Sequence, residues 1–368
     1  DGEKTVEVPR TRASSAAAAP ARRPHLTPDS AGSRTVGARF ATMLFYALCA
    51  VGLGVLGLVP KVLFDDDLGW KGRAIRFMAL VPIGAGLFGF GALNINRTSG
   101  RTLPAPEAST LFDGIRYERQ VRSVGEPLVW HTVRASLEND GLAVEVTPGH
   151  PGRLLPLESR KTTTALHDFR WSVAINGGPF EPNGNEDVNL PPLFESAPVR
   201  PLGHSVAQGN VYGATSPGNT LWVGLGNKLA INEKPMSAQY AVSGDCTPVV
   251  KKAVGDLGGC LKSNARIARS FAGLADGGKT LVLLVVDGSQ DAYSVGATAK
   301  ELADLAIAAG VTDGIELGSG ANSELAARGE DGKPYLLNVP VSGGLAGEER
   351  PVGNHLGITA RARFASAL

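Results

Sequence analysis

Two long uncharged stretches dominate the hydropathy pattern of the chain. Residues 40–60 are 21 positions without a charge, and residues 77–96 form a second such stretch. A helix of about 20 apolar residues crosses a hydrocarbon core of about 30 Å, and Pro82 is tolerated better in lipid than in a soluble helix. The pattern predicts two transmembrane helices within residues 38–97. A buried soluble helix is the alternative, whereas a signal peptide is disfavoured because the first stretch begins near residue 40 and is too long.

The segments around these stretches suggest partners in the membrane. Residues 1–37 are rich in Ala, Pro, Ser, Thr and Arg without apolar periodicity, so alone they should be disordered. Small residues recur at helical spacing, Ala50 with Gly54 and Ala85 with Gly89, and such pairs let helices approach closely. They could pack the hairpin together, which is the commoner case, or dock it on other helices. We therefore expect integral membrane protein subunits as partners of the hairpin and the tail.

The pattern changes to short strands after a predicted linker at residues 98–114. Strand-like runs occur at residues 128–133, 142–146 and 221–223, and an apolar run at 281–286 ends in an Asp-Gly turn. Helical periodicity is convincing mainly at residues 297–309. The sequence predicts an α+β domain, a mixed sheet with helices, over residues 115–368.

Five segments of this domain, in order, resemble the phosphodiester glycosidase domain of the N-acetylglucosamine-1-phosphodiester "uncovering" enzyme family. Its A-I-N-G-G-x-F segment is similar to residues 172–180, SVAINGGPF, and its P-R-T-A-I-G segment to residues 269–273. Residues 281–310 follow its strand, V-D-G-R and E-L-A pattern, and Glu349-Arg350-Pro351-Val352 with Asn354 resembles its closing segment. The family's D-G-G-G-S segment is not among these five and is not matched, because residues 318–322 read Gly-Ser-Gly-Ala-Asn.

The resemblance implies cleavage of a sugar-phosphodiester and a set of site residues. Glycoside cleavage usually takes two carboxylates, and an arginine fork matches a leaving phosphate. The implied roles are phosphate binding by Arg269, an acid, base or metal ligand at Asp287 if the protein is active, and a pocket floor of Asn176, Gly177 and Gly178. Asn322 could hydrogen bond a sugar, and Arg350 braces the closing segment or contacts the substrate.

The altered loop removes the family's acidic residue at position 318. Glu316 lies two residues earlier on the same face of a predicted strand, so its carboxylate could substitute. It would start roughly 6.5 Å away, a large displacement for a group that must be placed to about 1 Å. Glu316 is therefore a catalytic candidate only if the protein is active.

Charge and cysteine content narrow the alternatives. The formal net charge is +1, so nothing favours nucleic acid. No CxxC or Cys/His cluster predicts zinc, and we expect no metal and no cofactor. Cys246 and Cys260 are either free thiols or a loop-closing disulfide, which would imply an oxidising compartment.

Two functions follow from the sequence. The first is a membrane-anchored accessory or scaffold subunit of a larger membrane complex, with a non-catalytic glycosidase-like domain. The second is an active membrane-bound glycosidase that cuts a sugar-phosphodiester of cell-envelope glycans, so a glycan or sugar phosphate is a possible ligand. The positive-inside rule does not orient the spans, but the resemblance and the possible disulfide favour a domain outside the cytoplasm, in the periplasm.

Overall fold

The computed structural model describes residues 32–63, 69–99, 101–182, 194–213 and 219–361. Most of the predicted tail, residues 1–31, and the last seven residues lie outside these ranges. The helices are α1 (Gly32–Gly57), α2 (Val59–Leu63), α3 (Trp70–Ser99), α4 (Thr162–Asp168) and α5 (Ala299–Ala308). The strands are β1 (Glu107–Phe112), β2 (Ile115–Arg122), β3 (Leu128–Ser136), β4 (Ala143–Val146), β5 (Leu157–Glu158), β6 (Val173–Asn176), β7 (Phe180–Pro182), β8 (Pro198–Pro201), β9 (Ser205–Ala207), β10 (Asn210–Val211), β11 (Thr220–Gly224), β12 (Leu229–Ile231), β13 (Ala238–Ser243), β14 (Cys246–Val250), β15 (Ala253–Val254), β16 (Arg269–Ala275), β17 (Thr280–Val286), β18 (Val311–Glu316), β19 (Leu325–Arg328), β20 (Pro334–Leu336), β21 (Val341–Ser342), β22 (Leu345–Ala346) and β23 (His355–Thr359).

Helices α1 and α3 pack against each other as a hairpin. Gly52 and Gly91 make the close approach possible, because a Cβ at either position would come within 2.7 Å of backbone on the opposite helix. The predicted pairs are on a different face: Gly54 and Gly89 have nothing within 4 Å, and Ala50 and Ala85 are exposed. Of the two roles that the sequence left open for these pairs, packing of α1 against α3 is excluded by this arrangement, whereas docking on other helices stays a prediction.

Both long helices contain segments apolar enough to cross a membrane. The segments are Met43–Val62 and Trp70–Leu93, and only 11% of each apolar window is buried. Most of the apolar side chains on the hairpin therefore face outward, unlike those of the core helix of a soluble protein.

Three sheets form the body of the domain. The large sheet has the order β1-β2-β3-β17-β16-β18-β14-β15, the second sheet β20-β19-β6-β23-β4, and the third sheet β10-β9-β13-β11-β12. All their pairings are antiparallel among the described residues. The predicted α+β class is confirmed. Strand β1 lies inside the predicted linker at 98–114, because its alternation is too exposed to be recognised from hydropathy.

The two faces of the large sheet pack against different partners. On one face, residues such as Val133, Leu283 and Ile315 meet Ile175 of the second sheet and Leu221 of the third. On the other face, residues such as Phe271, Leu284 and Val286 meet helix α5 through Leu302 and Ala306. We call these the sheet-packed face and the α5 face. Successive residues of a strand point to opposite faces, so the strand register tells which face each site residue shares.

Gly357 gives a direct test of the packing between β23 and Trp171. A Cβ at this position would lie 2.0 Å from the indole ring of Trp171, which is 1% exposed. We expect Gly357→Ala to lower the free energy of unfolding by about 1–3 kcal/mol, because the buried indole must move. Chemical denaturation of the full chain in detergent would measure it. Gly259→Ala, whose added Cβ meets nothing nearer than 3.6 Å, is the matched control, and equal losses in both variants would contradict the packing.

Candidate functional site

Arg269 and Glu316 form a fully buried ion pair on the α5 face of the large sheet. Arg269 begins β16 and Glu316 ends β18, and both side chains are 0% exposed. Register places Glu316 opposite Phe271, so both charged groups share the face of Phe271. One Nη1 N–H of Arg269 donates to Oε1 of Glu316, which also accepts a 2.5 Å hydrogen bond from the Ser319 hydroxyl. The structure therefore brings together Arg269, the residue predicted to bind phosphate, and Glu316, the predicted substitute for the missing acid.

Every N–H of the Arg269 guanidinium has an acceptor within the protein. Nε donates to the Ala297 carbonyl at 2.7 Å, and Nη2 donates to the Lys262 and Ala265 carbonyls, both at 3.0 Å. Nη1 donates to Glu316 and to the Leu261 carbonyl at 3.3 Å. A guanidinium has five N–H donors, so none is left for a phosphate in this conformation.

Three of the four carbonyls around Arg269 belong to the loop that follows a disulfide bond. Cys246 and Cys260 are bonded to each other, as the sequence allowed, and Leu261, Lys262 and Ala265 follow directly. The two sulfurs and a carboxylate oxygen of Glu316 lie within 4.8 Å of one another. They are the cluster of potential metal-ligand atoms found among the described residues. Sulfurs in a disulfide are not thiolates, which are the form that binds metal, so these three residues do not fit a metal site.

Asn176 joins the second sheet to the altered loop. Its Nδ2 donates to the carbonyls of Gly177 and Gly318, and its Oδ1 accepts from the Ser270 hydroxyl and the Glu324 backbone N–H. The side chain is 1% exposed. The predicted pocket floor thus exists as a buried turn, but the amide of Asn176 is engaged in holding that turn together.

Backbone crowds the glycines of this turn. A Cβ on Gly178 would lie 1.7 Å from the Ser243 carbonyl oxygen, and one on Gly318 would lie 3.1 Å from the Gly177 carbonyl oxygen. Position 318 is where the family pattern has its acidic residue. An acidic side chain here would require the Gly177 turn to give way by a few tenths of an ångström.

Asp287 lies in a second buried network. Its Oδ2 accepts from the Tyr293 hydroxyl at 3.2 Å and is 3.0 Å from Nε2 of His131. Its Oδ1 accepts from Asn338 Nδ2 and the Val339 N–H. The other ring nitrogen of His131 is 2.9 Å from the Tyr117 hydroxyl, so a tyrosine, a histidine and an aspartate are connected in a row.

The two predicted acids lie on opposite faces of the large sheet. Glu316 shares the α5 face with Phe271, whereas His131, the partner of Asp287, pairs with Val285 of the sheet-packed face. Among the described residues, the two carboxylates have no hydrogen-bond partner in common. A retaining or inverting pair must flank one bond at about 5–9.5 Å. The structure therefore does not gather Asp287, Glu316 and Asn322 into one cleft.

Several polar atoms near the glycine turn have no protein partner. They are Oδ1 of Asn322, Oγ of Ser323, Oδ1 of Asn354 and Nε of Arg350. The Arg350 backbone N–H donates to Glu324 at 2.6 Å, and burial lowers the pKa of its guanidinium, although Glu324 opposes the shift. Buried polar atoms are normally paired, so Asn322 and Arg350 keep hydrogen-bonding capacity that a sugar could use.

Sequence reasoning missed Asp245, because this residue belongs to no recognisable motif. Its backbone N–H donates to the Glu316 carbonyl at 2.8 Å. Burial first, and the charge of Glu316 second, raise the pKa of Asp245 to about 7, against the opposing effect of Arg269. Burial also raises the pKa of Glu316, while Arg269 and Ser319 act against it. The β14–β18 pairing that creates this cluster leaves no local signal in the chain.

Removing Arg269 should destabilise the domain strongly. In Arg269→Met, Glu316 loses its counter-charge and four carbonyls lose their donors, so we expect the free energy of unfolding to fall by about 3–5 kcal/mol. The double variant Arg269→Met/Glu316→Leu should recover part of this loss, because no buried charge remains. Denaturant unfolding of the three proteins measures both effects.

A surface ion pair provides the control for this cycle. Lys300 and Asp304 on α5 are paired but more than half exposed, so Lys300→Met should cost about 0.5 kcal/mol or less. A loss in Arg269→Met no larger than that of Lys300→Met would show that the buried pair is not a stabilising contact.

Asp245 should make stability depend on pH. Its folded pKa of about 7 exceeds its ordinary value of 3.8, so between these values the folded state holds a proton that the unfolded state has released. Stability therefore falls as the pH rises from about 4 to about 7. Asp245→Asn should flatten this part of the profile of unfolding midpoint against pH, whereas exposed Asp140→Asn should keep the wild-type profile. An unchanged profile in Asp245→Asn would refute the assignment.

Known proteins provide an independent comparison. A sequence model of the phosphodiester glycosidase family matches residues 170–359, just over half of the 368 residues. The catalytic domain of zebrafish N-acetylglucosamine-1-phosphodiester alpha-N-acetylglucosaminidase, auto-inhibited by its pro-peptide, is similar in structure with a TM-score of 0.50. It is 15% identical, and the match covers 70% of this chain and 88% of that one.

A hypothetical protein from Synechocystis is also similar, with 13% identity and a TM-score of 0.47. That match covers 70% of this chain and 64% of that one, less than two thirds of its length. No curated protein sequence matches the chain significantly. At 15% identity, the similarity to the zebrafish catalytic domain supports the fold alone. The family match spans Asn176, Arg269, Asp287 and Arg350, and the chain belongs to the phosphodiester glycosidase family.

Proposed function

We propose that this protein is a membrane-anchored accessory or scaffold subunit of a larger membrane complex, whose phosphodiester glycosidase-like domain does not hydrolyse. The observation that carries the proposal is the saturation of Arg269. All five of its N–H donors face protein acceptors, four of them main-chain carbonyls. A leaving phosphate would have to displace a buried carboxylate or these carbonyls to bind there.

The missing acid supports the same conclusion. Gly318 cannot transfer a proton, and its surroundings leave little space for a side chain. Glu316 is already committed to Arg269 and Ser319, and Asp287 is held by four donors on the other face of the sheet. An acid needs a proton and a route to the substrate, and neither carboxylate has an open approach to the glycine turn.

The hairpin supports a membrane partner. Gly54, Gly86 and Gly89 have open space where a Cβ would point, and exposed apolar side chains such as Leu53 and Phe90 lie on the same helices. In a bilayer, small residues on an outer face allow another helix to approach. We infer that α1 and α3 span the membrane and dock on integral membrane subunits.

We infer further that the domain lies outside the cytoplasm, in the periplasm. The Cys246–Cys260 disulfide is the basis for this, because disulfides persist in oxidising compartments. Two spans would place residues 1–31 and the domain on the same side.

One observation favours the alternative, an active membrane-bound glycosidase that cleaves a sugar-phosphodiester of the cell envelope. Asp245 and Glu316 are neighbouring carboxylates, and the pKa of Asp245 is raised to about 7. Burial also raises the pKa of Glu316, and a carboxyl group that stays protonated near neutral pH can act as a general acid. In this alternative, the loop that covers Arg269 must open to admit the phosphate.

The test is extraction of the native protein in mild detergent, followed by mass spectrometry of what remains bound. We expect integral membrane proteins in fixed ratio, and reduced recovery with Gly89→Leu on the open helix face, because the larger side chain blocks a close approach. Leu93→Ile, an exposed substitution that keeps size, is the control. A clean monomer from the native membrane would contradict the scaffold function.

The same preparation decides between the two functions. We expect the wild-type protein to hydrolyse a panel of sugar-phosphodiesters no faster than the Glu316→Gln variant does. Turnover that disappears in Glu316→Gln and Asp245→Asn, while circular dichroism shows that both variants are still folded at the assay temperature, would establish the hydrolase instead.

A further inference from the structure

A polar pocket lies outside the Arg269 site. Its volume is about 610 Å³, and it is bounded by the segment that follows α3 and by the residues that hold Asp287. Its lining includes Tyr293, Asn338 and Val339 together with Arg101 and Arg119. The two arginines precede the segment that matches the family.

The arginines give the pocket unused cationic donors. Arg101 has no hydrogen-bond or ion-pair partner among the residues that the structure describes, and its Nη2 lies 3.2 Å from where a Cβ on Gly347 would be. Arg119 donates from Nε to the Ala105 carbonyl and pairs through Nη2 with Glu107. Its Nη1 has no described partner. An anion in the pocket could therefore meet two guanidinium groups.

The negative groups nearby are already occupied. Glu107 is paired with Arg119, and buried Asp287 accepts hydrogen bonds from Tyr293, Asn338 and Val339. Both arginines lower the pKa of the Tyr293 hydroxyl against the larger raising effects of burial and Asp287, which places both positive charges close to the phenol. Among the residues that the structure describes, Arg101 has no ion-pair partner.

The pocket lies beside the end of the second apolar helix. The apolar segment of α3 ends at Leu93 and the helix at Ser99, and six residues of helix are roughly 9 Å long. A head-group layer is roughly 5–7 Å thick on each side of the hydrocarbon core. Helix α3 also contacts β22, which directly precedes Gly347 of the pocket. If α3 spans the membrane as proposed above, the pocket is at the level of the lipid head groups.

We propose that this pocket binds the phosphate of an anionic phospholipid head group through Arg101 and Arg119. Arginine forks match phosphate oxygens in two-point geometry, and basic sites next to a membrane span recognise anionic lipids. The proposal rests on the membrane insertion of the hairpin, but not on the absence of hydrolysis or on partner subunits. Bound lipid would fix the domain against the bilayer at a defined height.

The experiment is native mass spectrometry of the full purified chain in detergent, titrated with phosphatidylglycerol and, separately, with phosphatidylcholine. We expect one saturable phosphatidylglycerol per chain and weaker binding of phosphatidylcholine. Arg101→Gln and Arg119→Gln should each weaken phosphatidylglycerol binding by about tenfold or more, because a charge-assisted hydrogen bond is lost. Arg116→Gln is the matched control, since Arg116 lies on the same strand as Arg119 but is exposed on its other face.

A second arm distinguishes a lipid from a soluble phosphate. Calorimetric titration with glycerol 3-phosphate should give binding far weaker than that of the lipid. Equal or tighter binding of glycerol 3-phosphate, lost in Arg101→Gln, would overturn the lipid assignment and leave a soluble phosphate ligand. No phosphatidylglycerol binding, or equal effects of Arg101→Gln and Arg116→Gln, would overturn the site itself. Neither result depends on turnover or co-purification, so this proposal and the proposed function can fail separately.

Discussion

The buried ion pair of Arg269 and Glu316 is the constraint around which the altered site is arranged. Two charges without exposure to water are costly unless every donor and acceptor is satisfied. The chain meets this requirement with the Ser319 hydroxyl, the Ala297 carbonyl and three carbonyls after Cys260. Arg269 is thus surrounded by the loop that follows the disulfide and by the turn at Ser319, which together supply most of its hydrogen-bonding environment. In this conformation, a residue type suited to phosphate is surrounded by acceptors of the protein itself.

The sheet register explains why this centre is separate from Asp287. In an antiparallel sheet, a shift of one residue moves a side chain to the other face. Arg269 and Glu316 share the α5 face, and Asp287 follows β17 toward the sheet-packed face, where His131 and Tyr293 meet it. The domain thus carries two polar centres back to back, each surrounded by its own hydrogen bonds. A pocket of about 610 Å³ lies next to the second centre.

Much of this architecture could be predicted from local patterns. The apolar run before Asp287 gave β17, the helical period with Thr298 and Glu301 gave α5 with its capping box, and the uncharged stretches gave α1 and α3. The pairing of Arg269 with Glu316 and the position of Asp245 could not be predicted, because they follow from contacts between strands far apart in the chain. The face on which α1 and α3 meet could not be predicted for a related reason: small residues occur on both faces of these helices, and only the packing distinguishes them.

The shell of Arg269 consists mostly of main-chain oxygen atoms, and this affects how the site can change. Substitutions at Leu261, Lys262 or Ala265 replace side chains but keep the carbonyls that accept from the guanidinium. Point mutations in the loop would therefore leave the arginine covered, and random drift would seldom uncover it. Reopening the site, by evolution or by design, requires a change in the length of the loop or in its covalent attachment at Cys260.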